Sequence, residues 1–396
     1  MKTMRAWGLS LVAGVLLAAC GGSEDVPGSG SPSGAPTTKG SFAAVVVFGD
    51  SVSDAGTYTP ATSATGNNQP PFIGGKFTTN SATSFVWAER VAQAMGIVMT
   101  PAQMGFAGQS VDCPAAAVDP ALATQCTDYA QGGAMITDPN GINHDKGALT
   151  VPIQAQIEKH LTRFGSFKDS DLVFVEAGLN DVFTQIAVFA GKAGQIQADA
   201  QAGKMSADQA NALLFEAQSE AQLAMKQAAQ ELAGYIRDRI LAKGARYVAV
   251  TNAVDLSLSP EGAGLPPELK PVLTGLSDIF NLWLRDGLTG QPVQIIDLAS
   301  MWKTTVTGKT SPTGIVFADT ATPACDKAKI TAITGGQITS GTSLFCNVTP
   351  GAPYNALAAG ADPDTWFYAD GNHPTRGGHK ALADAVMQQL QVYGWL

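Results

Sequence analysis

Residues 45–54 constrain the fold of this chain most, because a short apolar run leads there directly into a polar turn. Four apolar residues ending at Phe48 are followed by Gly49, Asp50 and Ser51. A continuous apolar run bounded by turn residues is typical of a strand that is buried on both faces, as in a parallel sheet. Ligands of open α/β sheets bind beyond the carboxyl ends of the strands, so Ser51 is predicted to lie at the mouth of a crevice. A serine becomes a nucleophile there only if a base lies beside it.

A second polar turn, near the other end of the chain, offers such a base. Asp370 precedes His373 by three residues within a loop that contains Gly371 and Asn372. This spacing allows the carboxylate to hold one ring nitrogen while the other nitrogen faces a serine. Both motifs also have plainer interpretations, since Gly-Asp-Ser is ordinary turn chemistry and Asp-x-x-His fits a capped turn before a helix. Taken together they predict a nucleophile and its base.

Two stretches in the middle of the chain offer hydrogen-bond donors for an oxyanion. Adjacent glycines, Gly132 and Gly133, free the backbone to turn and to expose its N–H groups. Residues 171–177 read as a second buried strand that ends just before Asn180. An Asn at the carboxyl end of a strand lies at the same edge of the sheet as Ser51. The alternatives are a plain turn for the glycines and local capping for Asn180.

Strands alternate with helices along the rest of the chain. Helical spacing of apolar residues predicts helices, whereas short apolar runs predict strands. This alternation is typical of one α/β domain with a mostly parallel central sheet. The stretch 301–365 is predicted to be rich in loops. The further predicted strands are residues 246–251 and 293–298, and the predicted helices are residues 81–95, 206–243, 273–288 and 375–392.

The composition excludes several classes of function. The chain has 396 residues, of which 45% are hydrophobic, so it can bury a large core. Its formal net charge of −9 argues against binding to nucleic acid and against a basic footprint on a membrane surface. No group of Cys, His and carboxylate residues has the spacing of zinc ligands. We therefore expect neither a metal site nor a cofactor.

The N-terminal segment has the features of a targeting signal. Lys2 and Arg5 precede an apolar run that ends at Ala19 and is too short to span a membrane. Residues 1–19 are therefore predicted to be a signal peptide. The sequence around Cys20 resembles a bacterial lipobox, which implies that Cys20 becomes the lipidated first residue of the mature protein. Because Gly21 rather than Asp follows, the resemblance to Gram-negative lipoproteins favours the outer membrane. The alternative is an ordinary secreted protein.

Four further cysteines fit an oxidising compartment. They form two pairs that are close in sequence. Local pairing, Cys113 with Cys126 and Cys325 with Cys346, is the simplest of the three possible connectivities.

Four motifs carry a resemblance to a known family. They are Phe48-Gly49-Asp50-Ser51 with Ser53-Asp54-x-Gly56, then Tyr129-Ala130-Gln131-Gly132-Gly133-Ala134, then Gly178-Leu179-Asn180-Asp181, and finally Asp370-Gly371-Asn372-His373-Pro374-Thr375. The four motifs occur in the order that is typical of the GDSL, or SGNH, hydrolase family, which the chain therefore resembles. Within the family it resembles the branch that contains secreted bacterial lipases, phospholipases and cholesterol-ester acyltransferases. The resemblance implies a three-layer α/β/α flavodoxin-like fold with a central, mostly parallel sheet.

The resemblance also implies a role for each motif. Ser51 would be the nucleophile, His373 would exchange its proton, and Asp370 would orient the imidazole ring. The oxyanion hole would consist of the N–H groups of Ser51 and Gly133 and the side-chain amide of Asn180.

Three residues depart from the family's pattern. Val52 replaces the leucine of the family's name, which changes packing but no chemistry. Asp128 stands where the second motif usually has Asn, a change expected to affect how that loop is held rather than the Gly133 amide. Thr57 replaces a common Asn, and we assign it no function.

These features predict a serine esterase or lipase that hydrolyses carboxylic acyl esters, either lipid or short-chain, through an acyl-enzyme intermediate. The alternatives are a carbohydrate acetylesterase on the same fold and a surface-binding lipoprotein without catalysis. Aromatic residues near the motifs, such as Phe77 and Phe367, favour acyl-lipid substrates but could equally belong to the core. The expected partners are a small-molecule or lipid ester and, through the lipid anchor only, a membrane; no nucleic acid is expected, and the oligomeric state stays open.

The predicted organisation has three parts. Residues 1–19 form the signal peptide, and residues 20–41 form the lipidated cysteine with a flexible linker rich in Gly, Ser and Pro. Residues 42–396 form the hydrolase domain, with a helical insertion at about residues 190–230.

Overall fold

A parallel sheet forms the centre of the protein. The computed structural model describes residues 30–64, 75–351 and 354–396. The strands of the sheet are short and apolar, and the residues of β1, β4 and β5 are almost entirely buried. A separate antiparallel hairpin, β2 with β3, was not predicted from the sequence. The strands are β1 Ala44–Phe48, β2 Gln103–Phe106, β3 Gln109–Asp112, β4 Asp171–Val175, β5 Tyr247–Thr251 and β6 Gln294–Ile296.

The order of the strands determines where a ligand can bind. Strands β1, β4, β5 and β6 lie side by side in that order, and all three pairings are parallel. On the other side of β1, Asp128 forms a single parallel bridge with Val47. Counting that bridge, the order is the flavodoxin-like one, with a topological switch point between β1 and β4. The predicted fold class is confirmed.

Helices cover both faces of the sheet, because both faces of a parallel sheet are apolar and must be shielded from water. Trp87 at the start of α2 packs against Phe174 of β4, whereas His160 of α4 packs against Phe48 of β1, which points to the other face. The helices are α1 Thr59–Ala64, α2 Trp87–Ala94, α3 Pro114–Val118, α4 Ile153–Phe164, α5 Leu179–Gln201, α6 Ala207–Tyr235, α7 Pro260–Ala263, α8 Lys270–Gly287, α9 Leu298–Gly308, α10 Lys327–Ile333 and α11 Arg376–Val392.

The stretch predicted as a helical insertion, about residues 190–230, falls within the neighbouring helices α5 and α6 and their short connection. Helix α6 begins with the predicted capping box, in which the Ser206 hydroxyl accepts from the N–H of Gln209 at 3.2 Å. It continues through a π-helical turn, Ile236–Ile240, and a 3₁₀ turn up to Gly244. Gly244 has a φ of 97°, a left-handed conformation that glycine adopts readily, which explains why the helix ends at this residue.

The stretch predicted to be rich in loops contains more regular structure than expected. Helix α9 begins before it and α10 lies within it. Residues 324–351 and 354–358, here called the disulfide lobe, have a small hydrophobic core that is separate from the main core. This core includes Ile330, Val348 and Ala356 together with the disulfide cysteines. Such a core is too small to be recognised from periodicity alone.

The predicted flexible linker, residues 20–41, is held against the body from position 30 onward. The N–H of Gly40 donates to the carbonyl of Trp395 at 2.9 Å, and the N–H of Ser33 donates to the carbonyl of Gln291 at 2.9 Å. The linker composition predicted flexibility, but its backbone groups find partners along the edge where the parallel strands begin. Cys20 and the predicted signal peptide lie outside the described residues. Within the described ranges, no helix is both long and apolar enough to cross a membrane.

Candidate active site

Neighbouring strands bring the predicted nucleophile and an oxyanion donor to one edge of the sheet. Ser51 lies in the turn after β1, and Asn180 lies in the first turn of α5, directly after β4. Strands β1 and β4 pair in parallel, with Phe48 opposite Val175. Both residues therefore lie at the carboxyl end of the switch point, where ligands of this fold bind.

The loop before α11 brings the predicted base to Ser51. Nε2 of His373 lies 2.8 Å from the Ser51 hydroxyl, and Nδ1 of His373 lies 2.8 and 2.9 Å from the two carboxylate oxygens of Asp370. The His373 side chain keeps 17% of its surface exposed and the Asp370 side chain 8%. A substrate can thus reach the imidazole, whereas the carboxylate is shielded from water.

Backbone donors hold the Asp370 carboxylate in place. Oδ1 accepts from the N–H groups of Asn372 (3.0 Å) and His373 (2.9 Å), and Oδ2 accepts from the N–H of Ser343 (2.7 Å). Burial opposes ionisation of Asp370, but His373 and the hydrogen bonds more than offset it and hold the pKa of Asp370 well below its usual range. Burial likewise opposes protonation of His373, yet the facing carboxylate raises the pKa of His373 above its ordinary value.

The predicted oxyanion donors are available. In the described part of the chain, no hydrogen bond engages the backbone N–H of Ser51 or of Gly133. The side-chain amide of Asn180 donates to the carbonyl of Ala134 at 2.9 Å, and this bond fixes the orientation of the amide. The second hydrogen of the amide remains available to an oxyanion. Gly133 has a φ of 84°, and a Cβ there would lie 2.3 Å from the carbonyl oxygen of Ile142. Only glycine fits this position.

Two buried carboxylates hold the glycine-rich loop beside the nucleophile turn. Oδ2 of Asp54 accepts from the N–H of Gly132 at 2.9 Å. Asp128 accepts from the N–H groups of Ala55 (2.7 Å) and Ala130 (3.1 Å), so it ties the two loops together. Burial raises the pKa of Asp54 to about 6 and the pKa of Asp128 well above its usual value. The departure at Asp128 therefore lies in the scaffold, away from the Gly133 amide.

A buried glutamate beneath the nucleophile was missed by the sequence analysis. Oε2 of Glu176 accepts from the N–H of Asp50 at 3.3 Å and from the hydroxyl of Ser53 at 3.1 Å. Ser53 in turn accepts from the indole N–H of Trp87 at 3.1 Å. Burial and the nearby Glu176 raise the pKa of Asp50 well above its usual value. The available signal was a glutamate that follows an otherwise apolar strand.

The other three histidines lie away from the nucleophile. His379 is buried on α11, where its Nδ1 accepts from the N–H of Trp87 at 3.1 Å, and burial lowers its pKa to about 3. His160 is packed among aromatic rings of the core, and burial lowers its pKa to about 4. His144 lies in an exposed 3₁₀ turn.

The aromatic residues near the motifs divide between site and core. The ring of Phe77 lies 4.7 Å from the ring of His373, measured between centroids. Phe367 is fully buried and packs edge-to-face on Trp302 and Phe317, so it belongs to the core.

Both predicted disulfides are present. The sulfur atoms lie 2.00 Å apart in Cys113–Cys126 and 1.96 Å apart in Cys325–Cys346. Among the described residues, no three His, Cys, Asp or Glu side chains are arranged to hold a metal ion.

Comparison with known proteins agrees with this geometry. The model of the GDSL-like Lipase/Acylhydrolase family matches residues 45–386. The match begins in β1 and ends within α11, so it includes all four motifs. No curated protein shows significant similarity to the chain. The family resemblance is thereby confirmed, and the chain belongs to the GDSL-like lipase/acylhydrolase family, whose members are hydrolases of ester substrates.

Proposed function

We propose that this chain hydrolyses carboxylic acyl esters through a Ser51–His373–Asp370 triad and an acyl-enzyme intermediate. The observation that carries the proposal is the continuous series of contacts from the Ser51 hydroxyl through both nitrogens of His373 to Asp370. A neutral imidazole in this position accepts a proton from the serine, and the carboxylate stabilises the imidazolium that forms. The low pKa of Asp370 supports its role as a permanent negative charge.

In the acylation step, the Ser51 oxygen attacks the carbonyl carbon of the ester while its proton moves to Nε2 of His373. The carbonyl oxygen becomes negatively charged in the tetrahedral intermediate. The N–H groups of Ser51 and Gly133 and the amide of Asn180 would stabilise that charge, which is fully developed only in the intermediate. The intermediate then collapses, the alcohol leaves with the proton from His373, and the acyl group stays on Ser51.

In the deacylation step, a water molecule loses a proton to Nε2 of His373 and attacks the acyl carbon. The same three donors would stabilise the second oxyanion. Collapse of this intermediate releases the carboxylic acid and returns the proton to Ser51. An alcohol in place of water would give acyl transfer through the same intermediate.

The first experiment measures hydrolysis of aryl esters from acetate to palmitate by the purified chain and by its Ser51→Ala variant. We expect the variant to lose at least about 10³-fold in kcat and to keep its fold. Activity that persists on long chains supports a lipase, whereas activity confined to the shortest esters supports a small-acyl esterase and calls for a test with acetylated sugars. Full activity in a folded Ser51→Ala protein would contradict the proposal.

We also propose export as an outer-membrane lipoprotein with Cys20 as the lipidated residue. The proposal is supported by the lipobox-like sequence before Cys20 and by Gly21 after it. In a Gram-negative host, metabolic labelling with a fatty acid should mark the wild-type chain and not the Cys20→Ala variant. Equal labelling of both would contradict lipidation at this residue.

A further inference from the structure

One of the donors to the Asp370 carboxylate comes from outside the catalytic loop. Asn372 and His373 belong to the same turn as Asp370, whereas Ser343 is 27 residues away in sequence. Its N–H makes the shortest of the three bonds, at 2.7 Å, and the residue is completely buried. Hydrogen bonds to a buried charge are among the strongest in proteins.

The turn that carries Ser343 is fixed on one side by Asn80. Ser343 is the first residue of a 3₁₀ turn, Ser343–Phe345. Its carbonyl accepts from the side-chain amide of Asn80 at 2.8 Å, and the backbone N–H of Asn80 donates to the carbonyl of Cys346 at 2.8 Å. Asn80 is itself buried, and it lies three residues after Phe77, whose ring packs beside the ring of His373.

On the other side, the disulfide joins this turn to the chain that leads into Asp370. Cys346 is bonded to Cys325, and the N–H of Cys325 donates to the carbonyl of Ala369 at 2.9 Å. Ala369 directly precedes Asp370 and packs in the small core of the disulfide lobe. The lobe therefore contacts both the carboxylate and the backbone that carries it.

We propose that the disulfide lobe is a positioning element for ester hydrolysis that acts through one backbone donor, the N–H of Ser343, on Asp370. This inference rests on the proposed triad. With donors on both oxygens, the carboxylate can face Nδ1 of His373 in one orientation only, so no reorganisation is needed when the imidazolium forms. The lobe should therefore affect kcat and not only stability.

The sharpest test removes this single donor. Proline at position 343 lacks the N–H, is tolerated at the first residue of a helical turn, and suits the extended ψ of 136° at Thr342. We expect Ser343→Pro to lower kcat by about tenfold to 100-fold with KM within about twofold. The acid limb of the kcat/KM profile should move to higher pH, because a carboxylate with one donor fewer holds the proton of His373 more strongly.

The matched control is Ser343→Ala, which keeps the N–H and removes only the hydroxyl. We expect it to retain at least about tenfold more kcat than Ser343→Pro. An equal loss in both variants would assign the effect to the hydroxyl and would overturn the proposal.

The two disulfides provide a second test that does not depend on proline. We expect Cys325→Ala/Cys346→Ala to lower kcat about tenfold or more at temperatures well below its Tm. Cys113→Ala/Cys126→Ala should lower Tm and keep kcat, since among the described residues no hydrogen bond joins that disulfide to Asp370 or to Ala369 before it. Equal kcat in the two double variants would overturn the proposal.

Wild type and Ser51→Ala are measured in the same assays. Activity in Ser51→Ala would reject the proposed triad itself. Inactive Ser51→Ala together with wild-type kcat in a folded Ser343→Pro would reject only the role of the lobe. If Ser343→Pro does not fold, the comparison of the two disulfide variants decides.

Discussion

The two sides of the proposed site shift the pKa values of buried carboxylates in opposite directions. On the His373 side, Asp370 faces an imidazole and three backbone donors, and its pKa lies well below the usual range. On the oxyanion side, Asp54 and Asp128 also accept backbone N–H groups, yet burial raises their pKa values. The difference lies in the neighbouring charge. Backbone donors offset only part of the desolvation of a carboxylate, and the facing imidazole, whose protonated form the carboxylate stabilises, lowers the pKa of Asp370 further.

The two disulfides also differ in what they contact. Cys325–Cys346 closes a lobe that contacts Asp370 directly, whereas Cys113–Cys126 closes a largely exposed segment beside the β2–β3 hairpin. The glycine-rich loop that follows Cys126 is instead held by the carboxylates of Asp54 and Asp128. We therefore expect a disulfide to affect the site only where the segment that it closes contacts a residue of the site.

The largest effect is expected on the His373 side. Asp370→Asn keeps the shape of the side chain but removes the charge and one acceptor site for Nδ1–H of His373. We expect kcat to fall by an order of about 10⁴, as is typical when a triad carboxylate becomes an amide. The acid limb of the remaining activity should move to lower pH, because the carboxylate no longer raises the pKa of His373. A pH profile with an unshifted acid limb would contradict this account.

A smaller loss is expected from the oxyanion side. Asn180→Ala removes the side-chain donor and its bond to Ala134, while the N–H groups of Ser51 and Gly133 remain. We expect kcat to fall by roughly 10²–10³ with little change in KM, since the donor acts mainly on the developing charge. Steady-state kinetics on one aryl ester would measure both values. A variant with wild-type kcat would exclude Asn180 as a donor.

The smallest effect concerns stability on the oxyanion side. Burial raises the pKa of Asp181 to about 7, although the N–H of Ile136 donates to its Oδ2 at 3.3 Å. A raised carboxyl pKa means that stability is present below the unfolded pKa and is lost as the pH rises through the folded pKa. Asp181→Asn removes this loss and keeps an acceptor for Ile136. Its gain in the free energy of unfolding should be on the order of 1–3 kcal/mol near pH 8 and less near pH 5.

Denaturant unfolding of wild type and Asp181→Asn at the two pH values would measure that gain. Asp128→Asn is a suitable comparison, because burial also raises the pKa of Asp128. A gain for Asp181→Asn that is equal at both pH values would show that Asp181 does not titrate in this way.

Much of the site could be predicted because its groups are marked by residue type. Only a few side chains can act as nucleophile and base, so Ser51 was recognisable at the end of a predicted strand and His373 in the turn that follows Asp370. The strands of the parallel sheet were equally clear, since each is a short apolar run between polar turns, whereas the β2–β3 hairpin has no such run. The linker was less well predicted, because composition describes the tendency of a segment and not the partners that it meets.

The sequence by itself determined the fold class, the order of the motifs and the residues that we propose carry the chemistry. Only the tertiary structure decided which groups support them. Glu176 reaches Asp50 across 126 residues, and Ser343 reaches Asp370 through a backbone N–H. Every residue except proline carries such an N–H, so no pattern of residue types can mark the one that binds the proposed catalytic carboxylate. Its role arises from where the folded chain places it.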